Sequence, residues 1–552
     1  MRKLFLAAGL AALAVGGVAR AAPPVIDGSR ILRDIKTVSS DAFEGRAPAT
    51  PGEEKTIAFL IEQMKAAGLQ PAGDPLPGGG RAWTQDVPLG RYTAKGPITL
   101  QATAAGRTQT LASGDDMAIY INATGTDYVT IRDAPVVFVG YGVSAPELNW
   151  DNFKGFDLKG KIALVLVNDP DFETGKGDFG GEAMTYYGRW TYKFEEAARR
   201  GAVGFVIIHE TAAAAYPWST VKASFAVGAY DVIRPDPSKA HAPLEAWIQH
   251  DVAVSLMKAG GLDYDVLKRE AQTRTFRPVD LKGVTLSVDY AVDAQKVVTH
   301  NVLGALPGTS HPDERVFYTG HWDHYGVGEP DAKGDRIYNG AADNGSGVGI
   351  MLELARAAAK APRTARTQVF MLTTAEERNL LGATYYATIP LYPLATTVGV
   401  LNIDLVGTSG PARDVSTSGN APLTLQDDLI AAAKVQGRYF TPDASPQSGF
   451  FYRSDHFPFA KAGVPAISFT SGADLVKGGK AAGEAKLKVY FAEHYHQPSD
   501  EFDPAWDPKG FELDATLLFN LGQRLANSRA WPEWKTGAEF KAERDKTRSE
   551  RR

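Results

Sequence analysis

Five side chains able to bind a metal ion follow one another through the second half of the sequence: His321, Asp343, Glu377, Asp404 and His496. Zinc in proteins is bound by imidazole nitrogens and carboxylate oxygens, and two neighbouring ions are well served by a carboxylate that bridges them. Two histidines and three acids match that requirement. An isolated histidine–acid pair is common in polar loops, so the indication lies in the ordered set. The set predicts a two-metal site that activates water.

The complete absence of cysteine from the 552 residues restricts this chemistry further. It excludes disulfides, thiolate metal sites and a cysteine nucleophile. Any bound metal ion must therefore be held by histidine, aspartate or glutamate.

The candidate ligands stand at the ends of predicted elements. Apolar runs bounded by polar clusters predict four strands, and apolar residues at helical spacing predict two helices between them. The strands are residues 316–320, 368–373, 398–403 and 465–469, and the helices are residues 346–360 and 423–436. His321, Glu377 and Asp404 follow the first three strands, and Asp343 precedes the first helix. Because ligands in open α/β sheets bind at the carboxyl ends of the strands, we expect these side chains to converge there.

The spacing of the five residues and three short motifs carry a family resemblance. Successive ligands lie 22, 34, 27 and 92 residues apart. The motifs are Phe43-Glu44-Gly45-Arg46, Asn301-Val302-Leu303-Gly304 and Ser454-Asp455-His456. Together these features resemble the M28 family of zinc aminopeptidases over most of the chain.

The resemblance implies a division of the ligands between two zinc ions, with manganese or cobalt as possible replacements. His321, Asp343 and Asp404 would hold one ion, and Asp343, Glu377 and His496 the other. Asp343 would then be the bridging carboxylate.

Three further residues receive roles from the same resemblance and from the chemistry of a metal-activated water. Asp323 would orient His321 through a hydrogen bond. Glu376, the acid left without a metal, would act as general base and return the proton to the leaving amine. Tyr452 is a candidate hydrogen-bond donor to the oxyanion, because it lies beside Ser454-Asp455-His456.

The expected fold is α/β, with a mixed central sheet flanked by helices as in zinc exopeptidases. Residues 22–90 form its helical N-terminal part and residues 296–530 the di-zinc catalytic domain. Residues 91–295, which contain short β-rich runs punctuated by Gly, Pro and Asp, are expected to be an inserted domain like a protease-associated (PA) domain. Residues 531–552 read as a charged, solvated tail.

The first 21 residues predict export. Arg2 and Lys3 precede an apolar run that ends before Ala19-Arg20-Ala21, the pattern of a cleaved signal peptide. The mature protein is expected in the periplasm or outside the cell, without stable membrane insertion. The net charge of −5 gives no support to a nucleic-acid partner.

These features predict an exported metallopeptidase that acts on peptide substrates and most closely fits an aminopeptidase. The same ligand set would also serve a carboxypeptidase, a dipeptidase or an enzyme similar to glutaminyl cyclases. An acidic pocket would suit a free amine and an arginine a free carboxylate, so Arg378 and Arg453 leave that choice open. A different class of function is a binding protein whose PA-like domain captures a partner and whose metal site is structural.

Overall fold

The computed structural model describes residues 24–121, 124–226, 229–419 and 421–551. The predicted signal peptide, residues 1–21, lies outside these ranges. Within them, no helix combines the length and apolar character needed to cross a membrane.

The bounds of the helices and strands in these ranges are as follows. The helices are α1 Gly28–Val38, α2 Pro51–Ala67, α3 Trp190–Arg199, α4 Thr211–Ala214, α5 Trp218–Ala226, α6 His250–Ala259, α7 Tyr264–Ala271, α8 Ser346–Lys360, α9 Leu381–Thr388, α10 Thr424–Val435, α11 His456–Lys461, α12 Gly479–Val489, α13 Pro508–Asn527 and α14 Lys541–Lys546. The strands are β1 Gln70–Pro71, β2 Thr84–Ala104, β3 Arg107–Thr110, β4 Met117–Ile119, β5 Tyr128–Phe138, β6 Ser144–Ala145, β7 Trp150–Asp151, β8 Ile162–Leu166, β9 Gly204–His209, β10 Ala229–Val232, β11 Leu244–Gln249, β12 Val279–Leu306, β13 His311–His321, β14 Gly326–Val327, β15 Ile337–Tyr338, β16 Arg366–Thr373, β17 Thr397–Ile403, β18 Asp414–Thr417, β19 Tyr439–Phe440 and β20 Ala466–Ser471.

The half of the sheet that carries the candidate ligands, called the peptidase half below after its expected function, has the strand order β19-β18-β20-β17-β13-β16-β12. Strand β13 runs parallel to β16 and β17, and β17 runs parallel to β20. Strands β12 and β18 pair antiparallel with their neighbours β16 and β20. The predicted mixed α/β sheet is therefore confirmed, as are the four predicted strands and the helix at residues 346–360.

Burial explains why strands β16 and β17 could be predicted from the sequence. Every residue of β16 and β17 is buried, because helices cover the sheet and leave no polar face on these strands. Helices α1, α8 and α13 pack on one another, and α8 and α13 also contact β13, β16 and β17. The ends of β13, β16 and β17 are thus held by a rigid layer of helices.

Residues 91–295, called the insert below, continue the same sheet through the order β12-β5-β8-β9-β11-β4. Strands β5, β8, β9 and β11 run parallel to one another, whereas β12 and β4 pair antiparallel with β5 and β11 at the two ends of this series. Helix α3 lies between β8 and β9 along the chain. Beside these strands, the described residues of the insert also form helices α3 to α7. Its likeness to a PA domain stays a prediction.

Two long strands join the insert to the peptidase half. Strands β2 and β12 pair antiparallel from Thr84 opposite Val302 to Thr103 opposite Thr285, with one register shift near Tyr290. The predicted boundaries at residues 90/91 and 295/296 fall inside these two strands. The apolar core of the peptidase half is nevertheless separate from the two clusters of the insert, apart from Tyr186 and Tyr192, which join it.

The C-terminal segment, residues 531–551, is not a solvated tail. Trp534 and Phe540 are buried in the peptidase core, and the side chain of Arg544 donates to the backbone oxygen of Thr397 at 3.0 Å. The run of charged residues predicted solvent exposure. The widely spaced aromatic residues instead pack into the core and attach the segment to the domain.

Candidate metal centre

Neighbouring strands bring the predicted ligands to one edge of the sheet. His321 is the last residue of β13, Asp404 follows β17, and Glu377 follows β16 by four residues. Since these three strands are parallel neighbours, their carboxyl ends meet. Asp343 lies in the turn at residues 341–345 that leads into α8, and His496 lies in the loop after residues 490–494.

Asp343 lies between the two histidines and faces each with a different oxygen. Its Oδ1 is 3.2 Å from Nε2 of His321, and its Oδ2 is 3.2 Å from Nε2 of His496. Nε2 of His321 is also 3.5 Å from Oδ1 of Asp404, and Nε2 of His496 is 3.2 Å from Oε2 of Glu377. The structure thus brings all five predicted ligands together in two groups that share Asp343.

The donor atoms of this cluster fit metal ions better than they fit one another. Nε2 of His321 and Nε2 of His496 are buried and make no hydrogen bond, although carboxylate oxygens lie 3.2 Å away. Ligand atoms of His321, Asp343 and Glu377 lie within 4.8 Å of one another, as do those of His321, Glu376 and Asp404. Imidazole nitrogens and carboxylate oxygens at such separations are a donor set suited to zinc.

The turn that carries Asp343 is held by the buried carboxylate of Asp500. Its Oδ1 accepts the backbone N–H of Ala342 at 2.9 Å, and its Oδ2 accepts that of Asp343 at 3.0 Å. The hydroxyl of Tyr490 donates to the same carboxylate at 3.1 Å. Asp500 therefore fixes the direction in which the shared carboxylate points.

Arg46 supports the other side of the turn, although its side chain is fully buried. Its guanidinium donates to four backbone oxygens, those of Val38, Trp322, Asn339 and Gly340, at 2.6 to 3.0 Å. One arginine thereby connects the N-terminal helices, the residue after His321 and the entry to the Asp343 turn.

Gly340 begins this turn with a left-handed backbone conformation, φ +51°. A Cβ at this position would lie 2.3 Å from the backbone oxygen of Asp343. Glycine is required here because any side chain would displace the ligand-bearing turn.

Asp323 contacts both His321 and Glu376, but with different groups. Nδ1 of His321 lies 3.1 Å from the backbone oxygen of Asp323 and 3.7 Å from its carboxylate. The carboxylate instead accepts the backbone N–H of Glu376 at 3.0 Å. A hydrogen bond from Nδ1 leaves Nε2 as the lone-pair nitrogen, which is the form that a metal ligand needs.

Glu377 and Asp404 each have a polar neighbour outside the ligand set. Nδ1 of His324 lies 2.6 Å from Oε1 of Glu377, and Oγ of Ser454 donates to Oδ2 of Asp404 at 2.6 Å. Both neighbours are buried. In each case the carboxylate keeps its other oxygen toward the shared cluster.

Two tyrosines flank His496. The ring of Tyr495 stacks on the imidazole with 3.7 Å between centroids. The hydroxyl of Tyr325 lies 3.1 Å from Nδ1 of His496 on another side. The ring plane of His496 is therefore fixed by aromatic contact as well as by polar contact.

Tyr452 does not take the position predicted for an oxyanion donor. Its hydroxyl donates to Oε2 of Glu539 at 3.1 Å, and its ring packs against Tyr186 and Phe457. The hydroxyl is thus used in a contact with the C-terminal segment. The sequence pattern around Ser454 could not show this contact. The structure does not support an oxyanion role for Tyr452.

A comparison with known families bears directly on this cluster. Residues 301–512, which contain all five ligands and Glu376, match the sequence model described as peptidase family M28. This segment is a peptidase family M28 domain.

Two curated relatives are similar to part of this chain. A probable zinc metalloprotease of Leptosphaeria maculans is 29% identical over 201 residues, which cover 31% of this chain and 46% of the relative. The aminopeptidase YwaD of Bacillus subtilis is 32% identical over 181 residues, which cover 32% of this chain and 36% of the relative. The chain thus spans less than half the length of each of these relatives.

A solved aminopeptidase from Aneurinibacillus sp. strain AM-1 aligns over 91% of this chain and 94% of its own, with 19% identity and a TM-score of 0.49.

The acids of the M28 domain differ in how readily they take up a proton. Burial, together with the charges of Glu377 and Asp404, holds the pKa of Glu376 well above the usual glutamate value. Burial would also raise the pKa of Glu377, but His496 and His324 outweigh it and hold that pKa well below the usual value. Two adjacent glutamates therefore have opposite tendencies, one to bind a proton and one to stay ionised.

The residues around the metal centre that sequence reasoning missed are supporting residues. Asp500 lies four positions after His496 in a polar stretch, and its proximity to a ligand was the available signal. Arg46 belonged to a motif noted for resemblance alone. Their roles depend on backbone groups of distant segments, which side-chain spacing does not report.

Proposed function

We propose that this chain is a di-zinc aminopeptidase that hydrolyses the first peptide bond of peptide substrates. The observation that carries the proposal is Asp343, whose two oxygens each lie 3.2 Å from a different histidine Nε2. This arrangement gives one carboxylate to two ligand groups, as a paired-metal site requires.

The choice of zinc is supported by the donor atoms and by the relatives. The ligand groups offer imidazole and carboxylate, which zinc accepts, and manganese or cobalt would also be accepted. Curated relatives are named a probable zinc metalloprotease and an aminopeptidase. His321, Asp343 and Asp404 would hold one ion, and Asp343, Glu377 and His496 the other.

Bound zinc supplies polarisation of the scissile carbonyl and acidification of the attacking water. The chain itself supplies the proton transfer. Glu376 is the acid best placed for it, with Oε2 3.9 Å from Nε2 of His321 and its backbone N–H fixed by Asp323. A carboxylate held there can accept a proton from water and then donate it to the leaving amine.

The alternatives remain a carboxypeptidase, a dipeptidase, an enzyme similar to glutaminyl cyclases, or a binding protein with a structural metal site. Export to the periplasm or the outside of the cell, inferred from residues 1–21, is part of the proposal. The aminopeptidase assignment is preferred because a protein named an aminopeptidase is among the relatives that match part of this chain.

The test is to purify the mature protein, measure its metal content by mass spectrometry, and assay matched peptides with free or acetylated N-termini. We expect two zinc ions per chain and cleavage only of peptides with a free amine. Chelation should abolish this cleavage, and zinc should restore it.

Substituting Glu376→Gln should lower kcat by roughly 100- to 10,000-fold, the range for loss of a general base, while both zinc ions are retained. Lys95→Gln, an exposed change in the insert, is a control for handling and folding. Preferential cleavage of acetylated peptides would contradict the aminopeptidase assignment. A protein that binds two ions, cleaves nothing and unfolds on chelation would instead favour the structural site.

A further inference from the structure

Two arginines near the metal centre lack an anionic partner. Arg453 follows the turn at Phe450–Tyr452, and Arg189 immediately precedes helix α3 of the insert. Neither guanidinium makes an ion pair or a hydrogen bond with another residue in the described ranges, and Nε of Arg189 is enclosed by protein. An arginine so placed is unusual, because its five donors normally find carboxylates or carbonyl oxygens.

The contacts between the insert and the peptidase half place these two arginines near each other. The backbone N–H of Met184 donates to the oxygen of Pro446 at 3.1 Å, and that of Tyr186 donates to Oε1 of Glu539 at 3.0 Å. A Cβ on Gly449 would lie 3.4 Å from Cδ of Arg189. The Arg189 side chain therefore runs against the same turn that leads to Arg453.

Their proximity has an electrostatic effect. Burial and the positive charge of Arg453 lower the pKa of Arg189 to about 10. The neighbouring hydroxyl of Tyr216 is neutral, because burial raises its pKa. Two like charges are thus held together in a partly enclosed place without a protein carboxylate between them, which is unfavourable unless an anion binds there.

The place is adjacent to the proposed catalytic centre. Arg453 immediately precedes Ser454, whose hydroxyl donates to Oδ2 of Asp404 at 2.6 Å. The ring of Tyr495 stacks on His496 at 3.7 Å. An anion bound by Arg453 would consequently lie close to the proposed metal ligands, within reach of a short peptide.

We propose that Arg189 and Arg453 together bind a carboxylate of the peptide substrate. The carboxylate belongs either to the C-terminus of a di- or tripeptide or to an acidic side chain beyond the scissile bond. Because Arg189 comes from the insert, the insert forms part of the substrate site. The inference rests on the proposed aminopeptidase function for its substrate class.

The experiment compares kcat/KM for four peptides that share an N-terminal alanine. Ala-Ala-Ala is paired with its C-terminal amide, and Ala-Glu-Ala amide is paired with Ala-Gln-Ala amide. In the wild-type protein we expect at least one carboxylate peptide to exceed its neutral partner by roughly 10- to 100-fold, the range for a charge-assisted hydrogen bond. Which pair shows the difference identifies the source of the carboxylate.

Arg189→Gln and Arg453→Gln should each bring that ratio close to one. Arg453→Lys should keep part of the preference, since it keeps the charge but loses the planar fork. Arg107→Gln, an exposed arginine of β3, is the matched control and should leave every ratio unchanged. A ratio near one in the wild type, or one unaffected by either arginine substitution, overturns the proposal.

Binding separates this proposal from the function on which it rests. Titration calorimetry of the Glu376→Gln protein with the same four peptides, before and after adding Arg453→Gln, needs no turnover. If no peptide is cleaved but the carboxylate peptide binds more tightly and loses that advantage with Arg453→Gln, the anion site stands and the peptidase function fails. If the wild type cleaves the carboxylate and neutral peptides equally well and the Glu376→Gln protein binds them equally tightly, the peptidase function stands and the anion site fails.

Discussion

Ser454 donates its hydroxyl hydrogen to Oδ2 of Asp404, with 2.6 Å between the oxygens, while Oδ1 of the same carboxylate faces Nε2 of His321. The amide of Asn402 in turn donates to Oγ of Ser454 at 2.7 Å. The proposed ligand is thus oriented by a chain of two hydrogen bonds that begins in strand β17.

Removal of the Ser454 hydroxyl should leave Asp404 in place as a ligand but less firmly oriented. We expect Ser454→Ala to weaken zinc binding by about 10- to 100-fold, the usual effect of losing a hydrogen bond to a metal ligand. Competition with a zinc chelator measures the affinity. Ser238→Ala removes a similar serine–aspartate contact, to Asp236 on the surface, and should leave zinc affinity unchanged. Equal affinities for wild type and Ser454→Ala would show that Asp404 needs no such support.

Asp500 should matter through the backbone of the Asp343 turn. Asp500→Ala leaves the N–H groups of Ala342 and Asp343 without their acceptor, so we expect zinc affinity to fall by about 10- to 100-fold. Asp500→Asn keeps one acceptor oxygen, so its zinc affinity should lie between those of the wild type and Asp500→Ala. Tyr490→Phe removes only the hydroxyl that supports Asp500 and should have the smallest effect. Chelator competition on all three variants gives this order, and a different order would count against the role assigned to Asp500.

Arg46 should contribute mainly to stability. Arg46→Met removes donors from four buried backbone oxygens, and we expect a loss of about 3 kcal/mol or more in the free energy of unfolding. Urea denaturation of the metal-free protein measures this loss without a contribution from zinc. Arg46→Lys keeps the charge but cannot reach four acceptors, so it should recover only part of the loss. Wild-type stability in Arg46→Met would contradict the structural role.

Glu539 should make the attachment of the C-terminal segment depend on pH. Burial raises the pKa of this carboxyl group to about 7, against an ordinary value of 4.5, so the folded protein favours the protonated form. Its contribution to stability is therefore complete below about pH 4.5 and is lost as the pH rises through about 7.

Glu539→Gln mimics the protonated form at every pH. Between pH 5 and pH 8 the wild type should lose about 1 to 3 kcal/mol of unfolding free energy relative to this variant. Urea denaturation at both pH values measures the difference, with exposed Glu484→Gln as control. Parallel stability profiles for wild type and Glu539→Gln would contradict the raised pKa.

The sequence predicted the catalytic half of the fold well because the determining signals there are local. Strands β13, β16, β17 and β20 are continuous apolar runs, and the candidate ligands follow them directly. Parallel pairing then brings His321, Glu377 and Asp404 together without further information. The convergence of ligands could be anticipated for this reason, whereas their metal roles await the measurements above.

The features that the sequence did not reveal depend on partners distant along the chain. Tyr452 was predicted as an oxyanion donor, but its hydroxyl donates to Glu539, which lies 87 residues away along the chain. Helix α3 was missed because residues 190–199 mix aromatic and charged residues, and Tyr192 and Phe194 are buried in two different apolar clusters. No sequence pattern marked Arg189, because its proposed role in anion binding depends on its position near Arg453 in the folded chain.

The continuous pairing of β2 with β12 has a mechanical consequence for the working molecule. The chain passes between the peptidase half and the insert through these two strands, which are described throughout and hydrogen-bonded across the junction. A flexible linker that would let the insert swing open is therefore not present in residues 84–104 and 279–306. Peptides should reach a site in which the insert is already in place, and turnover should not slow in viscous solvent as it would in an enzyme that opens and closes between domains.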